Sequence, residues 1–404
     1  MPTQPDIAAA AWRDCLGAPE HRKSTVSIAQ IPGTLAAQRA VSDLFGACGV
    51  RLDGRQPWDL RINDERFFKR VLTQGTLGLG ESYMDGWWDC PALDEMCFRA
   101  IRAQLTKQVR LNLRTLLTIA ASLLYNLQNR VRARLVGKRH YDLGNDFFAA
   151  MLGSSMQYSC AYFHGVDDLD LAQQAKMDLI CRKLELQPGM RLLDIGCGWG
   201  GLARHAAKNY GCHVVGVTIS QEQQSFAENL CQGLPVEIRL QDYRQINESF
   251  DRIVSVGMME HVGFKNYRCF MQVARRCLTK GALFLCHTIG DSITSLRPDP
   301  WINRHIFPNS QLPSLAQTVR AAEGLFVVED VHNFGACYDR TLLAWERNFQ
   351  QAWPRFKDRY GERFQRMWRY YLLGCAGAFR ARHIQLFQCL LSADGVLGGY
   401  VAPR

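Results

Sequence analysis

Hydrophobic and polar positions follow two different periods along the C-terminal two thirds of the chain. Short apolar runs, typical of buried strands, alternate with longer segments whose apolar residues recur every three or four positions, as in amphipathic helices. The predicted strands are 191–195, 213–217, 235–240, 251–256, 282–287, 325–331 and 383–391. The predicted helices are 201–209, 220–232, 265–279, 313–323 and 361–380. This alternation predicts an α/β fold in which helices cover both faces of a mainly parallel sheet.

The first third of the chain has no strand pattern, and it predicts helices over residues 34–50 and 92–135. In the second of these, apolar residues between Leu113 and Leu127 recur at helical spacing. Between the two lies another helical pattern, which is expected to end at three glycines, Gly75, Gly78 and Gly80. A region of this kind suits either a small helical core or a module that contacts lipid.

Changes in these patterns divide the chain into three parts. Residues 1–33 have no clear periodicity and predict a loose tail, residues 34–135 predict a helical N-terminal domain, and residues 136–404 predict the catalytic domain. Two segments of the last part, 290–312 and 336–360, exceed the length of ordinary connections. We expect both to lie over the substrate site.

Basic residues are concentrated in one tenth of the chain. The formal net charge is +10, and residues 101–140 contain no Asp or Glu. The basic residues of this segment are Arg102, Lys107, Arg110, Arg114, Arg130, Arg132, Arg134, Lys138 and Arg139. Such a patch fits an anionic partner, either nucleic acid or a phospholipid surface. A leucine stripe like the one beside it is more often part of a core than a membrane face, but the adjacent basic run shifts the interpretation toward a phospholipid surface. We expect no nucleic acid as a partner.

Composition bears on the compartment and on metal binding. The 15 cysteines include no CxxC pair and no Cys/His cluster, which argues against a metal site or a disulfide framework. The N-terminus shows no secretory signal pattern, and the apolar run within residues 111–127 is too short and too mixed to span a bilayer. We expect a cytoplasmic protein whose contact with the inner membrane surface is peripheral.

Residues 191–201 predict a buried strand, a glycine-dense turn and the start of a helix. The glycines of the turn, Gly196, Gly198 and Gly200, allow the backbone to approach a ligand closely at a helix N-terminus. Turns of this kind bind NAD, FAD and S-adenosylmethionine alike. The turn therefore indicates a nucleotide-like ligand without choosing among the three.

Polar residues follow the ends of the next predicted strands, where ligands bind in open α/β sheets. Thr218 stands where many nucleotide sites carry an acidic residue for the ribose. Gln223 lies about one helical turn further and is a candidate to bond the ribose instead. Gln241 and Asp242 end the third strand and suit the edge of an adenine.

Glu260 and His287 end the fourth and fifth strands and are expected to converge on the same rim. A carboxylate and an imidazole at strand ends are typical of a functional site. His261 fits either a functional role or the start of a helix. Tyr338 lies just past a strand end. The thiols of Cys160 and Cys375 fit either inert packing or nucleophilic chemistry.

The sequence closely resembles the bacterial cyclopropane-fatty-acyl-phospholipid synthases and, more distantly, the mycolic-acid cyclopropane synthases. The matching motifs cover about residues 60–390 and are GTLGLGESYMDGWWDC, GKRHYDLGNDFF, MQYSCAYF, LLDIGCGWGGLA, VVGVTISQEQ, QDYR, FDRIVSVGMMEHVG, DPWINRHIFPN, HNFGACYDRTLLAW and CAGAFRARHIQLFQ. As a set they are highly specific. The seven predicted strands also fit the class I methyltransferase sheet, whose last strand runs antiparallel.

The resemblance implies transfer of the methyl of S-adenosylmethionine to the cis double bond of an unsaturated phospholipid acyl chain, followed by ring closure. In the family, bound bicarbonate is the base. The resemblance places it among the side chains of Glu260, His287 and Tyr338 and the backbone at Cys160 and Ile289. Cys375 matches a cysteine once proposed as catalytic, a role that its place on a late helix argues against.

The resemblance also implies where the co-substrate binds. Its predicted contacts are Tyr158, Ser159, Asp194, Gly196, Cys197, Gly198, Trp199, Gly200, Thr218, Ile219, Ser220, Gln223, Gln241 and Asp242. Tyr158, Tyr162, Phe163, Trp301 and Tyr338 are candidate aromatic faces for a carbocation. The family suggests a homodimer, although no residue of this chain indicates one.

Two alternatives stay open from the sequence. One is a methyltransferase that methylates the same alkene without closing a ring. The other is a non-catalytic lipid- or RNA-binding protein that keeps the fold, against which the joint presence of Glu260, His287 and Tyr338 argues.

Overall fold

The structure, a computed structural model, describes residues 34–105, 143–295 and 298–404. Its centre is a seven-stranded sheet. Numbered in chain order after a short N-terminal pair (β1, Arg61–Ile62; β2, Trp88–Asp89), its strands are β3 Arg191–Ile195, β4 His213–Thr218, β5 Val236–Leu240, β6 Phe250–Val256, β7 Leu278–Asp291, β8 Val327–Asn333 and β9 Ile384–Ser392. The strand order is β5-β4-β3-β6-β7-β9-β8. Strands β3 to β7 are parallel, whereas β9 runs antiparallel to both of its neighbours, as predicted.

Apolar side chains are buried on both faces of this sheet. Leu192 packs in the cluster that holds Leu202 and Ala206 of one helical layer, whereas its neighbour Leu193 packs with Phe270 on the other side. Successive residues of a strand point to opposite faces, so a continuous apolar run requires a covering layer on each side. The predicted α/β fold is confirmed.

The helices of the described residues are α1 Thr34–Gly46, α2 Arg66–Gln74, α3 Thr76–Met84, α4 Leu93–Arg102, α5 Asn145–Leu152, α6 Leu169–Lys183, α7 Gly201–Tyr210, α8 Gln221–Leu230, α9 Met259–Val262, α10 Tyr267–Cys277, α11 Pro300–His305, α12 Leu315–Ala322, α13 Ala336–Ala352 and α14 Lys357–Arg380. The five predicted helices of the catalytic part are all present, with ends shifted by a few residues.

One predicted connection was wrong. Residues 336–360 were expected to form a long loop, but most of them form α13. Tyr338, Leu342, Trp345 and Phe349 recur at helical spacing and are buried in the largely aromatic core between α13 and α14. The segment is therefore a wall of the core, and only its first turns reach the cavity described below.

The expected helix break at three glycines was also wrong in part. Only Gly75, with φ of 57°, separates α2 from α3, and Gly78 and Gly80 lie inside α3. A Cβ on Gly78 would lie 2.3 Å from the carbonyl oxygen of Arg70, and one on Gly80 would lie 2.4 Å from the Trp301 ring. These two glycines are needed for close packing, and they do not end the helix.

Helices α1 to α4 pack around Trp88 and Phe67 and join the catalytic part through α14, whose Leu373 belongs to the same core. Residues 1–33 and almost all of the basic and leucine-rich segment lie outside the described residues. Among the helices that the structure describes, none is long and apolar enough to cross a membrane.

Candidate active site

A single cavity of about 1250 Å³ opens at the carboxyl ends of the parallel strands. It is lined by the predicted residues Tyr158, Ser159, Asp194, Gly196, Cys197, Gly198, Trp199, Thr218, Ile219, Ser220, Gln223, Gln241, Asp242, Glu260, His287, Ile289, Tyr338 and Cys375. Two of the predicted residues, Gly200 and Cys160, are absent from this lining. The structure thus brings most of the predicted site together.

The glycine turn after β3 adopts a conformation that favours glycine. Gly196, Gly198 and Gly200 have φ of 84°, 55° and 82°, in the left-handed region that other residues rarely enter. A Cβ on Gly198 would meet open space, whereas one on Gly200 would lie 2.8 Å from Cβ of Ala227. Gly198 therefore leaves backbone exposed to a ligand, and Gly200 serves the packing of the turn against α8.

The end of β4 carries a hydroxyl and an amide where an acid is more usual. The hydroxyl of Thr218 donates to Oε1 of Gln223 at 2.8 Å. Ser220 caps α8 by accepting from the backbone N–H of Gln223. These contacts hold Gln223 at the cavity wall, where its amide can bond sugar hydroxyls. Ile219 is 40% exposed at the cavity's edge.

The end of β5 presents Gln241 and Asp242. The carboxylate of Asp242 accepts two hydrogen bonds from the Arg244 side chain and one from the Arg244 backbone N–H. Its oxygens are therefore already engaged, and they are less free to bond an adenine than the sequence suggested.

The loop from Gln157 to Cys160 is held by a lysine that sequence reasoning missed. Lys176, on α6, has no exposed surface and donates to Oε1 of Gln157 and, at 2.9 Å, to the hydroxyl of Ser159. Gln173, one turn earlier, donates to the carbonyl of Ser159 at 2.9 Å. Burial lowers the pKa of Lys176 to about 7. A lysine on an amphipathic helix is expected to be exposed to solvent. The sequence therefore gave no indication that Lys176 contacts Gln157 and Ser159.

Glu260 is buried at the start of α9, directly after β6. Its Oε1 accepts from the backbone N–H of Ile289 at 2.6 Å, whereas its Oε2 has no hydrogen-bond partner among the described residues. Burial raises the pKa of this carboxyl to about 7. One oxygen thus remains available to a ligand, and burial favours the protonated form of the carboxyl.

His287, on β7, is almost completely buried. Its Nδ1 lies 3.2 Å from Nε2 of Gln388, and its Nε2 has no partner among the described residues. Burial holds the pKa of this imidazole well below its usual range. Glu260 and His287 line one cavity, as predicted, and each has a buried polar atom that lacks a partner among the described residues.

Three comparisons with known proteins agree with this geometry. The family model described as mycolic acid cyclopropane synthetase matches residues 128–389. The chain is 56% identical over 366 residues to a cyclopropane-fatty-acyl-phospholipid synthase of Escherichia coli, covering 91% of this chain and 96% of that one. The chain belongs to the cyclopropane synthase family.

Solved structures of the family share the fold. The cyclopropane synthase MmaA2 from Mycobacterium tuberculosis matches with a TM-score of 0.61 and 33% identity, over 66% of this chain and all of that one. The mycolic acid cyclopropane synthase CmaA1, complexed with SAH and CTAB, matches with a TM-score of 0.60 and 34% identity, over 64% and 98% of the two chains. These matches confirm the class I methyltransferase fold.

Burial raises the pKa of both candidate thiols. Cys160 is fully buried, and burial raises its pKa well above the usual value. Cys375 lines the cavity from α14, and burial raises its pKa to about 12. A thiol is nucleophilic as its thiolate, so neither group is prepared for nucleophilic chemistry. No group of His, Cys, Asp or Glu side chains in the described residues is arranged to hold a metal ion.

Aromatic rings surround the rest of the cavity. Tyr158, Trp301 and Tyr338 line it, and Tyr338 stacks on Phe379 with ring centroids 4.4 Å apart. The hydroxyl of Tyr158 donates to that of Tyr371 at 2.9 Å. Two further predicted aromatic candidates, Tyr162 and Phe163, lie outside the cavity wall. Phe163 instead faces the Arg340 guanidinium, 4.2 Å from its ring centre.

The same cavity continues into the N-terminal helices. Its lining there is mostly apolar and comes from helices α1 to α4 and the residues just after α4. It includes Leu44, Leu72, Leu79, Met96, Ala100, Ile101 and Leu105. Polar residues of this part include Thr73, Gln74, Thr76, Arg102 and Gln104. One continuous space thus joins the glycine turn to an apolar pocket among the N-terminal helices.

Proposed function

We propose that this chain transfers the methyl carbon of S-adenosylmethionine to the cis double bond of unsaturated phospholipid acyl chains and closes it into a cyclopropane ring. The observation that carries the proposal is the single cavity that joins the glycine turn, Glu260 and His287 to an apolar channel. The match to a cyclopropane-fatty-acyl-phospholipid synthase over 91% of the chain supports the substrate class.

The alkene π electrons attack the methyl carbon, and the carbon–sulfur bond breaks with its electron pair left on sulfur. The carbocation that forms at the second alkene carbon lies among the faces of Tyr158, Trp301 and Tyr338, whose rings stabilise positive charge. The added methyl then loses a proton, and the electron pair of that C–H bond closes the ring. The buried site excludes water, which would otherwise trap the cation.

The residues of the site fit a bound bicarbonate. Oε2 of Glu260 and Nε2 of His287 are buried polar atoms that lack a partner among the described residues and border the same cavity. When bound, bicarbonate supplies the base that takes the proton. Glu260 in its protonated form donates to one oxygen of the anion. An ionised Glu260 would instead repel it, because both negative charges would lie side by side in a buried site. The hydroxyl of Tyr338 and the backbone around Cys160 and Ile289 complete the proposed set.

We further propose that residues 34–135 form the domain that contacts the bilayer and that residues 136–404 form the catalytic domain, as a peripheral protein at the inner membrane surface and as a homodimer. The basic run of residues 101–140 and its leucine stripe support the membrane contact through attraction to anionic lipid. The cavity supports it too, because its apolar part is lined by α4, which leads directly into that run.

Incubation of the purified protein with labelled S-adenosylmethionine and vesicles of unsaturated phospholipid tests the activity. The expected product is lipid heavier by one CH₂, with the ring confirmed by ring-opening chemistry and mass spectrometry. A methylated product that still contains an alkene would instead establish the related methyltransferase. Lipid without label, while S-adenosylmethionine still binds, would refute both and favour a non-catalytic binding protein.

The membrane contact has its own test. Charge reversal at Arg130, Arg132 and Arg134 should weaken sedimentation with anionic vesicles, more so at low salt, where charges are screened less. Unchanged binding would place the contact elsewhere. Preference for RNA over anionic vesicles in direct competition would count against a membrane role for this segment.

A further inference from the structure

Three polar side chains stand in one row across the edge of the central sheet. In the antiparallel register, Gln388 of β9 lies directly opposite His287 of β7 and also opposite His332 of β8. Side chains of paired residues lie on the same face of a sheet, and Phe334 touches both imidazole rings from that face. Gln388 has no exposed surface and does not line the cavity. It is thus a buried amide between two histidines, and no step of the proposed reaction uses it.

The contact between Gln388 and His287 fixes the direction of one hydrogen bond. Nε2 of Gln388 lies 3.2 Å from Nδ1 of His287. In this orientation of the Gln388 amide, Oε1 has no partner among the described residues, Nε2 donates, and Nδ1 of His287 accepts. In a neutral imidazole the other nitrogen then carries the proton, and His287 presents an N–H at Nε2.

The surroundings keep His287 neutral. Burial is the main cause of its lowered pKa, and the charges of Lys176 and Lys183 and the nearby His332 lower it further. A carboxylate in place of Gln388 would act in the opposite sense, because it would accept from Nδ1 and stabilise the imidazolium. The amide therefore selects the one form of histidine that is neutral and donates from Nε2.

We propose that Gln388 is a positioning residue, which holds His287 as an Nε2–H donor aimed at an oxyanion bound beside Glu260. This rests on the proposed function for the identity of that oxyanion. His287 is then a donor that orients the anion and does not itself remove the proton. Its uncharged state also avoids a fixed positive charge beside the developing carbocation.

The tautomer is measured on the protein without ligands. In protein labelled with ¹⁵N-histidine, the His287 signals are assigned by comparison with His287→Asn. The expected result is a protonated Nε2 and an unprotonated Nδ1 that accepts a hydrogen bond. In Gln388→Met, a change of similar size that cannot donate, the signature of the hydrogen bond at Nδ1 should vanish. A protonated Nδ1 in the wild-type protein would overturn the proposal.

Turnover gives the second measurement. We expect Gln388→Met to lower kcat about 10- to 100-fold, the size seen when the partner of a ligating histidine is removed, and to raise the bicarbonate concentration needed for half-maximal rate. The KM for S-adenosylmethionine should stay unchanged, a split that a general loss of structure would not produce. Gln385→Met is the matched control, since Gln385 lies on the same strand, bonds Asn333 and Ser292, and does not line the cavity.

Unchanged kcat and bicarbonate dependence in Gln388→Met would also overturn the proposal. If the wild-type protein fails to modify unsaturated phospholipid at all, the proposed function is wrong. The tautomer measurement still decides the role of Gln388 in that case, because it needs no substrate.

Discussion

The indole of Trp301 lies so close to Gly80 that a Cβ atom on Gly80 would sit 2.4 Å from Cδ1 of the ring. Gly80 belongs to the N-terminal helix α3, and Trp301 belongs to α11, which borders the cavity. The indole also donates to Sδ of Met84 at 3.3 Å, and Glu81 pairs with His305 at the end of α11. This contact makes the N-terminal helices part of the wall of the cavity.

Gly80→Ala should therefore lower both stability and turnover. The added methyl overpacks the contact, at a cost of about 1–3 kcal/mol, which exceeds the gain of about 1 kcal/mol from better helix propensity. Thermal unfolding and turnover on unsaturated vesicles measure the two effects. Gly46→Ala is the control, since a Cβ there meets nothing within 4 Å. Equal melting temperatures for the two variants would contradict this prediction, because they would show that α11 can move aside without a loss of stability.

The sequence was sufficient to predict the sheet but not the contact between Gly80 and Trp301. Strand runs such as 191–195 are apolar on both faces, so their burial follows from local pattern alone. Gly78 and Gly80 were misread as helix breakers because their close neighbours, Arg70 and Trp301, are set by tertiary packing. Helix propensity predicts that such glycines destabilise a helix. Only the packed structure shows the close contacts that require them.

The buried carboxyl of Glu260 predicts a dependence of stability on pH. Its folded pKa, raised by burial to about 7, lies above the unfolded value of about 4.3. The folded state therefore binds more protons than the unfolded state between these pH values, and stability is lost as the pH rises through them. Glu260 accounts for about 3 kcal/mol of this loss in the free energy of unfolding. Glu260→Gln removes that loss.

The melting temperature of Glu260→Gln should thus exceed that of the wild type by more at about pH 8 than at about pH 5. Glu237→Gln is a suitable control, because the Arg239 side chain lowers the pKa of Glu237, so its share is constant over this range. A difference for Glu260→Gln that does not grow with pH would contradict a raised pKa. The same variant should lose turnover while S-adenosylmethionine still binds.

Lys176→Met should weaken the binding of S-adenosylmethionine. The change removes the donor that holds Gln157 and Ser159 at the cavity. We expect a rise in KM for S-adenosylmethionine of about tenfold, equivalent to about 1.4 kcal/mol. Calorimetric titration of the co-substrate measures it directly.

Lys183→Met offers a comparison on the same helix. Lys183 is equally buried but pairs with Asp330 on β8. Its loss should lower the melting temperature without changing the KM for S-adenosylmethionine. If both variants change KM alike, the effect of Lys176 is a general loss of structure.

Some of the predicted site residues were found from strand ends and others, such as Tyr158 and Cys160, from the family resemblance. Glu260 and His287 follow β6 and lie in β7, so topology alone brings them to one edge. The local sequence gives no sign that Lys176 and Gln388 lie near the site, because a lysine on a helix and a glutamine in a strand are expected at the surface. Their burial depends on α6 and β9 packing against residues far away in the chain.

The last prediction concerns the apolar part of the cavity. Ala100 lines it from α4, and Leu72 and Leu105 line the same part. Ala100→Phe would fill space that the proposed acyl chain occupies, while the glycine turn stays untouched. We expect turnover of long-chain phospholipid to fall about tenfold or more relative to a short-chain analogue, because overfilling an apolar pocket costs about 1–3 kcal/mol. Competition between the two lipids in mixed vesicles, read by mass spectrometry, measures the ratio.

Ala103→Phe makes the same change one residue beyond α4 at a position outside the cavity, and it should leave the ratio unchanged. An unchanged ratio in Ala100→Phe would place the acyl chain elsewhere, since a chain that runs into this channel cannot share the volume of the added ring.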